Sequence, residues 1–156
     1  MKIIICGAGQ VGESIASHLA EEDNDVTIID QNQERLRRVL DHSDVSGVEG
    51  LASYPEVLQK AGVEEADMVI LLVDGRTRIT SSDQFLARQV QKSKKPHVLA
   101  VNKIDELHMK DSTMDFYELG LGEFYTLSAQ NNRSVGDMLD GIIAQLAEWD
   151  FTKIIR

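Results

Sequence analysis

The chain has 156 residues, 42% of them hydrophobic and 27% charged, which suits one folded domain and is too short for two independent cores. Acidic residues outnumber basic ones by 26 to 16, so the summed field repels phosphate backbones and anionic lipid and no nucleic-acid partner is expected. A single cysteine, Cys6, rules out a disulfide framework and a cysteine-based zinc site and fits a reducing, cytoplasmic setting.

The first strand is predicted at Ile3–Cys6, and the run from Met1 meets Gly7 too soon for a signal sequence or a membrane span. A helix then begins inside a glycine loop and runs to about Glu22, with Val11, Ile15 and Leu19 on one face. Strands follow at Val26–Asp30 and, more weakly, at Val45–Val48. Ser53 with Glu56, and Ser81 with Gln84, have capping-box spacing and predict helix starts near residues 54 and 82. Apolar runs at Met68–Asp74, Val98–Asn102 and Phe124–Ser128 complete six strands. The last helix starts near 135, after Ser134, with a stripe of Val135, Met138, Leu139, Ile142, Ile143 and Leu146. Strands apolar on both faces, alternating with helices, predict a three-layer, Rossmann-like α/β fold with a doubly wound parallel sheet in strand order 3-2-1-4-5-6.

The loop Gly7-Ala8-Gly9-Gln10-Val11-Gly12 follows a strand and opens a helix, the context in which GxGxxG carries meaning. Gly7 makes the tight turn, Gly9 lets backbone approach a pyrophosphate, and Gly12 lets the helix pack on the sheet. Asp30 ends the second strand 18 residues past Gly12, where a carboxylate accepts from ribose hydroxyls and repels a 2′-phosphate. NAD or an adenine nucleotide is the expected cofactor, with Gln31 beside Asp30 counted in the site. The plainer alternative is that the glycines only shape a turn and Asp30 is a solvated charge. The same residues also spell a P-loop, Gly7-x-x-x-x-Gly12-Glu13-Ser14, but an acid replaces the lysine that would neutralise terminal phosphates. Triphosphate hydrolysis is therefore not expected.

From Met1 to about Asp67, the segments KIIICGAGQVGESIASHLAEEDNDVTIID, ERLRRV and SYPEVLQKAGVEEADM resemble the nucleotide-binding domain of Trk-type potassium uptake regulators, the KTN or RCK domain. The resemblance implies a Rossmann fold that holds NAD(H) or adenine nucleotides without catalysis. It also implies pairing with identical copies as a homodimer. Leu51 stands where that family usually has a polar residue.

Farther on, Asn102-Lys103-Ile104-Asp105 and Ser128-Ala129 fall at strand ends, a chemistry suited to guanine. Asp105 can accept from guanine N1–H and N2–H, Lys103 can lay its methylenes over the base, and the Ala129 amide can donate to O6. Asn102 can tie neighbouring loops together. Residues 65 to 147, including ADMVILLVDGRTRITSSDQFLARQVQKSKKPHVLAVNKID, resemble the first GTPase domain of the Der (EngA) family. The machinery for γ-phosphate and magnesium is missing, and Asp44-Val45-Ser46-Gly47 fits a DxxG only by letter. GDP is the alternative ligand.

The two resemblances meet within residues 62–70, dividing one domain into a regulator-like half, 1–67, and a GTPase-like half, 68–156. The chain reads as a chimera, engineered or naturally fused, whose site pieces line one crevice with Asp74 at its middle. A chimera with no activity at all is the third reading. His18, His42, His97 and His108 have neither catalytic nor metal-ligand spacing, so no enzyme is expected.

Overall fold

The computed structural model describes residues 1–75, 79–102, 115–122, 124–127, 139–141 and 144. Its strands are β1 (Lys2–Cys6), β2 (Asp25–Asp30), β3 (Ser46–Glu49), β4 (Met68–Asp74), β5 (His97–Asn102) and β6 (Phe124–Leu127). They form one parallel sheet in the order β3-β2-β1-β4-β5-β6. The helices are α1 (Gln10–Glu21), α2 (Gln33–His42), α3 (Pro55–Ala61) and α4 (Ser81–Ser93), with a 3₁₀ turn at Val63–Glu65. Among the described residues, no helix is long and apolar enough to cross a membrane.

The run Ile3-Ile4-Ile5 takes the centre of the sheet because it is apolar on both faces, and each side chain is fully buried. Each such burial contributes roughly 1.5–3 kcal/mol relative to exposure. Ile3 pairs with Val26 and Met68, and Cys6 pairs with Ile29 and Leu71, so β1 joins both halves of the sheet. Alternation sends Ile3, Ile5, Ile28, Ile70 and Ala100 to one face, against α1 and α2. Ile4, Ile29, Leu71, Leu99 and Val101 go to the other, where α3, α4 and the segment containing Phe116 and Leu121 cover them. Leu139, from the predicted final stripe, packs into the α1 face with Tyr125. Asp140, Gly141 and Ala144 are helical too, while the predicted start near 135, the Ser134 cap and the other residues of the stripe lie outside the described residues.

The weak third strand forms at the sheet edge, where Val48 is its one buried side chain. Neither predicted capping box forms where the spacing put it: α3 has no side-chain cap, and the box at α4 lies one residue earlier. Tyr54, not Ser53, precedes α3, because Pro55 occupies its first turn and forces the preceding residue into an extended conformation, ψ 125°. Ser53 is buried instead of capping. At α4 the box is Thr80 with Asp83, not Ser81 with Gln84: Thr80 Oγ1 accepts the Asp83 amide at 3.1 Å and Asp83 Oδ2 accepts the Thr80 amide at 2.9 Å. An aspartate can close the reciprocal bond as well as the glutamate or glutamine the pattern calls for.

Two outcomes follow. Thr80→Ala should lower stability to denaturant by about 1 kcal/mol while Ser81→Ala stays within about 0.5 kcal/mol, and equal losses would place the cap elsewhere. Burial pushes the Cys6 thiol up from its ordinary range to about 12. In the folded protein at pH 8 a thiol reagent should therefore modify Cys6 only as fast as the chain unfolds, whereas labelling at the rate of a free thiol would mean that β1 is not sealed.

Candidate functional site

At the end of β1 the chain must turn sharply beneath α1, and Gly7 does so with φ +124°, a region that favours glycine. Its amide donates to the Ile29 carbonyl at 2.8 Å, which ties the turn to β2. A Cβ on Gly12 would collide with the Gly7 carbonyl oxygen, so glycine is what lets α1 approach β1 this closely. Gly9 differs: a Cβ there would meet nothing within 4 Å. It precedes α1 in extended backbone with no side-chain cap. The first bond of the helix runs from the Glu13 amide to the Gly9 carbonyl at 2.9 Å, so the Gln10, Val11 and Gly12 amides precede the ladder. An open space beside uncapped amides at a positive helix end is a place for a phosphate.

Ala8 and Val11 are buried, and Gln10 is exposed. Asp30, at the end of β2, lies on the α1 side of the sheet with Val26 and Ile28. Its Oδ2 accepts the Ala8 amide at 2.7 Å, so the predicted acid and the glycine loop are in direct contact. Its Oδ1 accepts the Asn32 amide at 2.7 Å. These bonds leave room for further donors, because a carboxylate offers about four acceptor positions. Gln31 is exposed, next to Asp30 at the end of β2. The residue that sequence reasoning passed over is Asn32, whose side-chain oxygen caps α2 through the Glu34 and Arg35 amides at 3.0 and 3.1 Å. Asp-x-Asn ahead of a helical pattern was the available signal, since both residue types bond to backbone two positions on.

Asp74 and Asn102 are register partners at the ends of β4 and β5, and the Gly75 amide donates to the Asn102 carbonyl at 2.6 Å. They too fall on the α1 side, continuing the alternation of Ile70 and Ala100. Asn102 Oδ1 is buried with no partner among the described residues. Three strand spacings separate Asp30 from Asn102, roughly 14 Å, so one nucleoside cannot touch both. Lys103, Asp105, Ser128 and Ala129 lie outside the described residues. Gly7–Gly12, Asp30, Asp74 and Asn102 thus all stand at the carboxyl ends of β1, β2, β4 and β5, the side on which a crevice at the sheet's topological switch point would open.

A cavity of about 230 Å³ lies away from this crevice, between α3 and α4, lined by Leu58, Val63, Gln89, Lys92 and Lys95 among others. Among the described residues, no group of three or more His, Cys, Asp or Glu could hold a metal. His18 and His42 are exposed, while each His97 ring nitrogen lies 3.2 Å from a backbone carbonyl, of Lys95 or Leu121. His108 lies outside the described residues.

The TrkA-N domain model matches residues 3–109. Among curated proteins, the GTPase Der of Heliobacterium modesticaldum is 45% identical over 89 residues, covering 57% of this chain and 20% of that protein. The GTPase Der of Clostridium perfringens is 39% identical over 115 residues, covering 70% and 26%. The chain therefore spans only about a fifth to a quarter of these relatives. Matches to 57% or 70% of the chain must share residues with the 3–109 match, so the two resemblances overlap rather than abut, and the family match runs through the expected join at 62–70.

Among solved structures, the TrkA-N domain of the inner membrane protein ybaL from Escherichia coli gives a TM-score of 0.61 at 17% identity, covering 90% of this chain and 95% of that one. The Shewanella denitrificans Kef CTD in its AMP-bound form gives 0.59 at 14% identity, covering both chains fully. The GsuK channel bound to NAD gives 0.56 at 14% identity, covering 79% and 21%. At such identities these likenesses establish the Rossmann-like fold. The family match, extending over more than two thirds of the chain and including the glycine loop and Asp30, establishes the membership: this chain belongs to the TrkA-N domain family.

Proposed function

We propose that the chain is a non-catalytic nucleotide-binding module that holds NAD(H) or an adenine nucleotide, with the diphosphate on the Gly9–Gly12 amides and the adenosine ribose on Asp30. The observation that carries this is the open space at Gly9 beside uncapped amides, in direct contact with a carboxylate at the next strand end. Support comes from family membership and from two neighbours of the same fold, one bound to AMP and one to NAD. A homodimer and a cytoplasmic setting belong to the same reading, the first drawn from the likeness to Trk-type regulators.

A second reading is GDP binding, with the base read by Asn102, Lys103, Asp105, Ser128 and Ala129 and the diphosphate reaching back to the glycine loop. It is supported by the position of Asn102 on the crevice side of β5 and by the identity to GTPase Der. Glu13, in the first turn of α1, opposes the additional charge of GTP. Descent from two lineages, as an engineered or natural chimera, is the origin we propose for the coexistence of these motifs.

Thermal melting with NADH, AMP, ADP, ATP and GDP tests the ligand. The correct one, at about a hundred times its dissociation constant, should add roughly 2.7 kcal/mol of stability. If none of the adenine ligands moves the curve, the first reading fails; if GDP alone does so, and Asp105→Ala abolishes the shift, the second takes its place.

Two glycine substitutions separate site from scaffold. Gly9→Ala meets no atom within 4 Å at an ordinary φ of −68°, so it should hold stability within about 0.5 kcal/mol while blocking the ligand. Gly12→Ala pushes a methyl group into the Gly7 carbonyl and should cost on the order of 1–3 kcal/mol. A Gly9→Ala variant that binds nucleotide as tightly as the parent would remove the phosphate from this loop.

A further inference from the structure

Asp30 fastens three segments at once. Its Oδ2 accepts the Ala8 amide from the glycine loop, and its Oδ1 accepts the Asn32 amide, closing an Asx turn at the start of α2. Its main-chain oxygen accepts the Gly50 amide at 3.1 Å, beyond β3. Ala8 is only 3% exposed, so its amide has little access to water and would be left unpaired without the carboxylate. It also stands between Gly7, which makes the turn, and Gly9, which opens the row of α1 amides. Where the Ala8 amide is tied therefore fixes the direction in which those amides point.

We propose that Asp30 is a positioning residue of the glycine loop: its carboxylate sets the loop's shape before any ligand arrives, in addition to facing the ribose. The bond to Ala8 also removes that amide from the phosphate site, leaving the Gly9–Gly12 backbone to hold an anion. The second part of this rests on the nucleotide reading above; the first does not.

Charge and positioning predict opposite signs. A carboxylate beside an anion site repels the anion, so its removal acting through charge alone would tighten binding. Its removal acting through the loop would weaken it. Inorganic pyrophosphate carries neither ribose nor base and serves as the probe. In calorimetric titration, Asp30→Ala should weaken pyrophosphate binding about tenfold relative to the parent, the loss expected when a hydrogen bond to a charged group no longer orders the site. Equal or tighter binding by Asp30→Ala would overturn the proposal.

Amide exchange in the ligand-free protein is the independent arm. Asp30→Ala should speed exchange at Ala8 about tenfold or more while the amides within β1 keep their protection relative to global stability. Unchanged exchange at Ala8 would overturn the proposal, whatever the protein binds. Faster exchange at Ala8 in a protein whose parent form takes up no pyrophosphate supports the latch and sinks the nucleotide reading. Should Asp30→Ala fail to fold, Asp30→Asn preserves the shape but offers one acceptor to two amides, so Ala8 or Asn32 must lose protection; protection retained at both refutes the latch.

Discussion

The close approach of α1 to the end of β1 governs the rest of the molecule. Gly12 lies so near the Gly7 carbonyl that no side chain fits between them. Only at that separation can Val11, Ile15 and Leu19 reach Ile3, Ile5 and Ile28 and seal one face of the sheet. The same approach aims the first amides of α1 at the gap between β1 and β4, where the chain reverses its direction of growth across the sheet. Packing and ligand geometry thus have one cause, and the loop cannot change shape without loosening the core.

Charge sets the second constraint. A chain of net charge −10 repels a nucleotide at long range, and within the site Asp30 and Glu13 are both acidic. At physiological salt that repulsion is largely screened beyond about 8 Å. Attraction comes instead from amides at contact distance, which screening scarcely touches. Ordered amides matter more in such a chain than in a basic one, because no surplus of lysine or arginine is there to compensate for a misdirected donor. A carboxylate that holds the loop in order while adding to the repulsion is a reasonable settlement between the two effects.

The coexistence of TrkA-N membership with strong identity to GTPase Der has a structural basis in the sheet. Strand β4 pairs with β1 on one side and β5 on the other, with Met68, Val69, Ile70 and Leu71 buried regardless of face. Such a strand demands apolar bulk and little else, so the same residues satisfy the patterns of both families. The overlap of the two matches means that the boundary between residues 62 and 70 is a feature of motif reading, whereas the sheet itself is continuous through it.

Strand order, the α1 stripe and the positions of the glycine loop and Asp30 at the ends of their strands were legible in the sequence, because each rests on local periodicity or on glycine chemistry that one backbone position imposes. Tertiary structure decided what periodicity leaves open. Pro55 set the start of α3 one residue past Ser53 and left it without a side-chain cap, and Thr80 displaced Ser81 at α4, since spacing alone cannot choose between neighbouring hydroxyls that differ only in backbone conformation. It closed β3 on the edge of the sheet, where a weak apolar signal suffices once β2 supplies a ladder. It gave Asp30 two backbone donors, one of them 22 residues distant along the chain, a pairing no local pattern records. The sequence by itself placed the glycine loop and an acid at the ends of two strands; only the packed sheet decided that the acid is already bonded to that loop, because the contact exists only when β1 and β2 lie side by side.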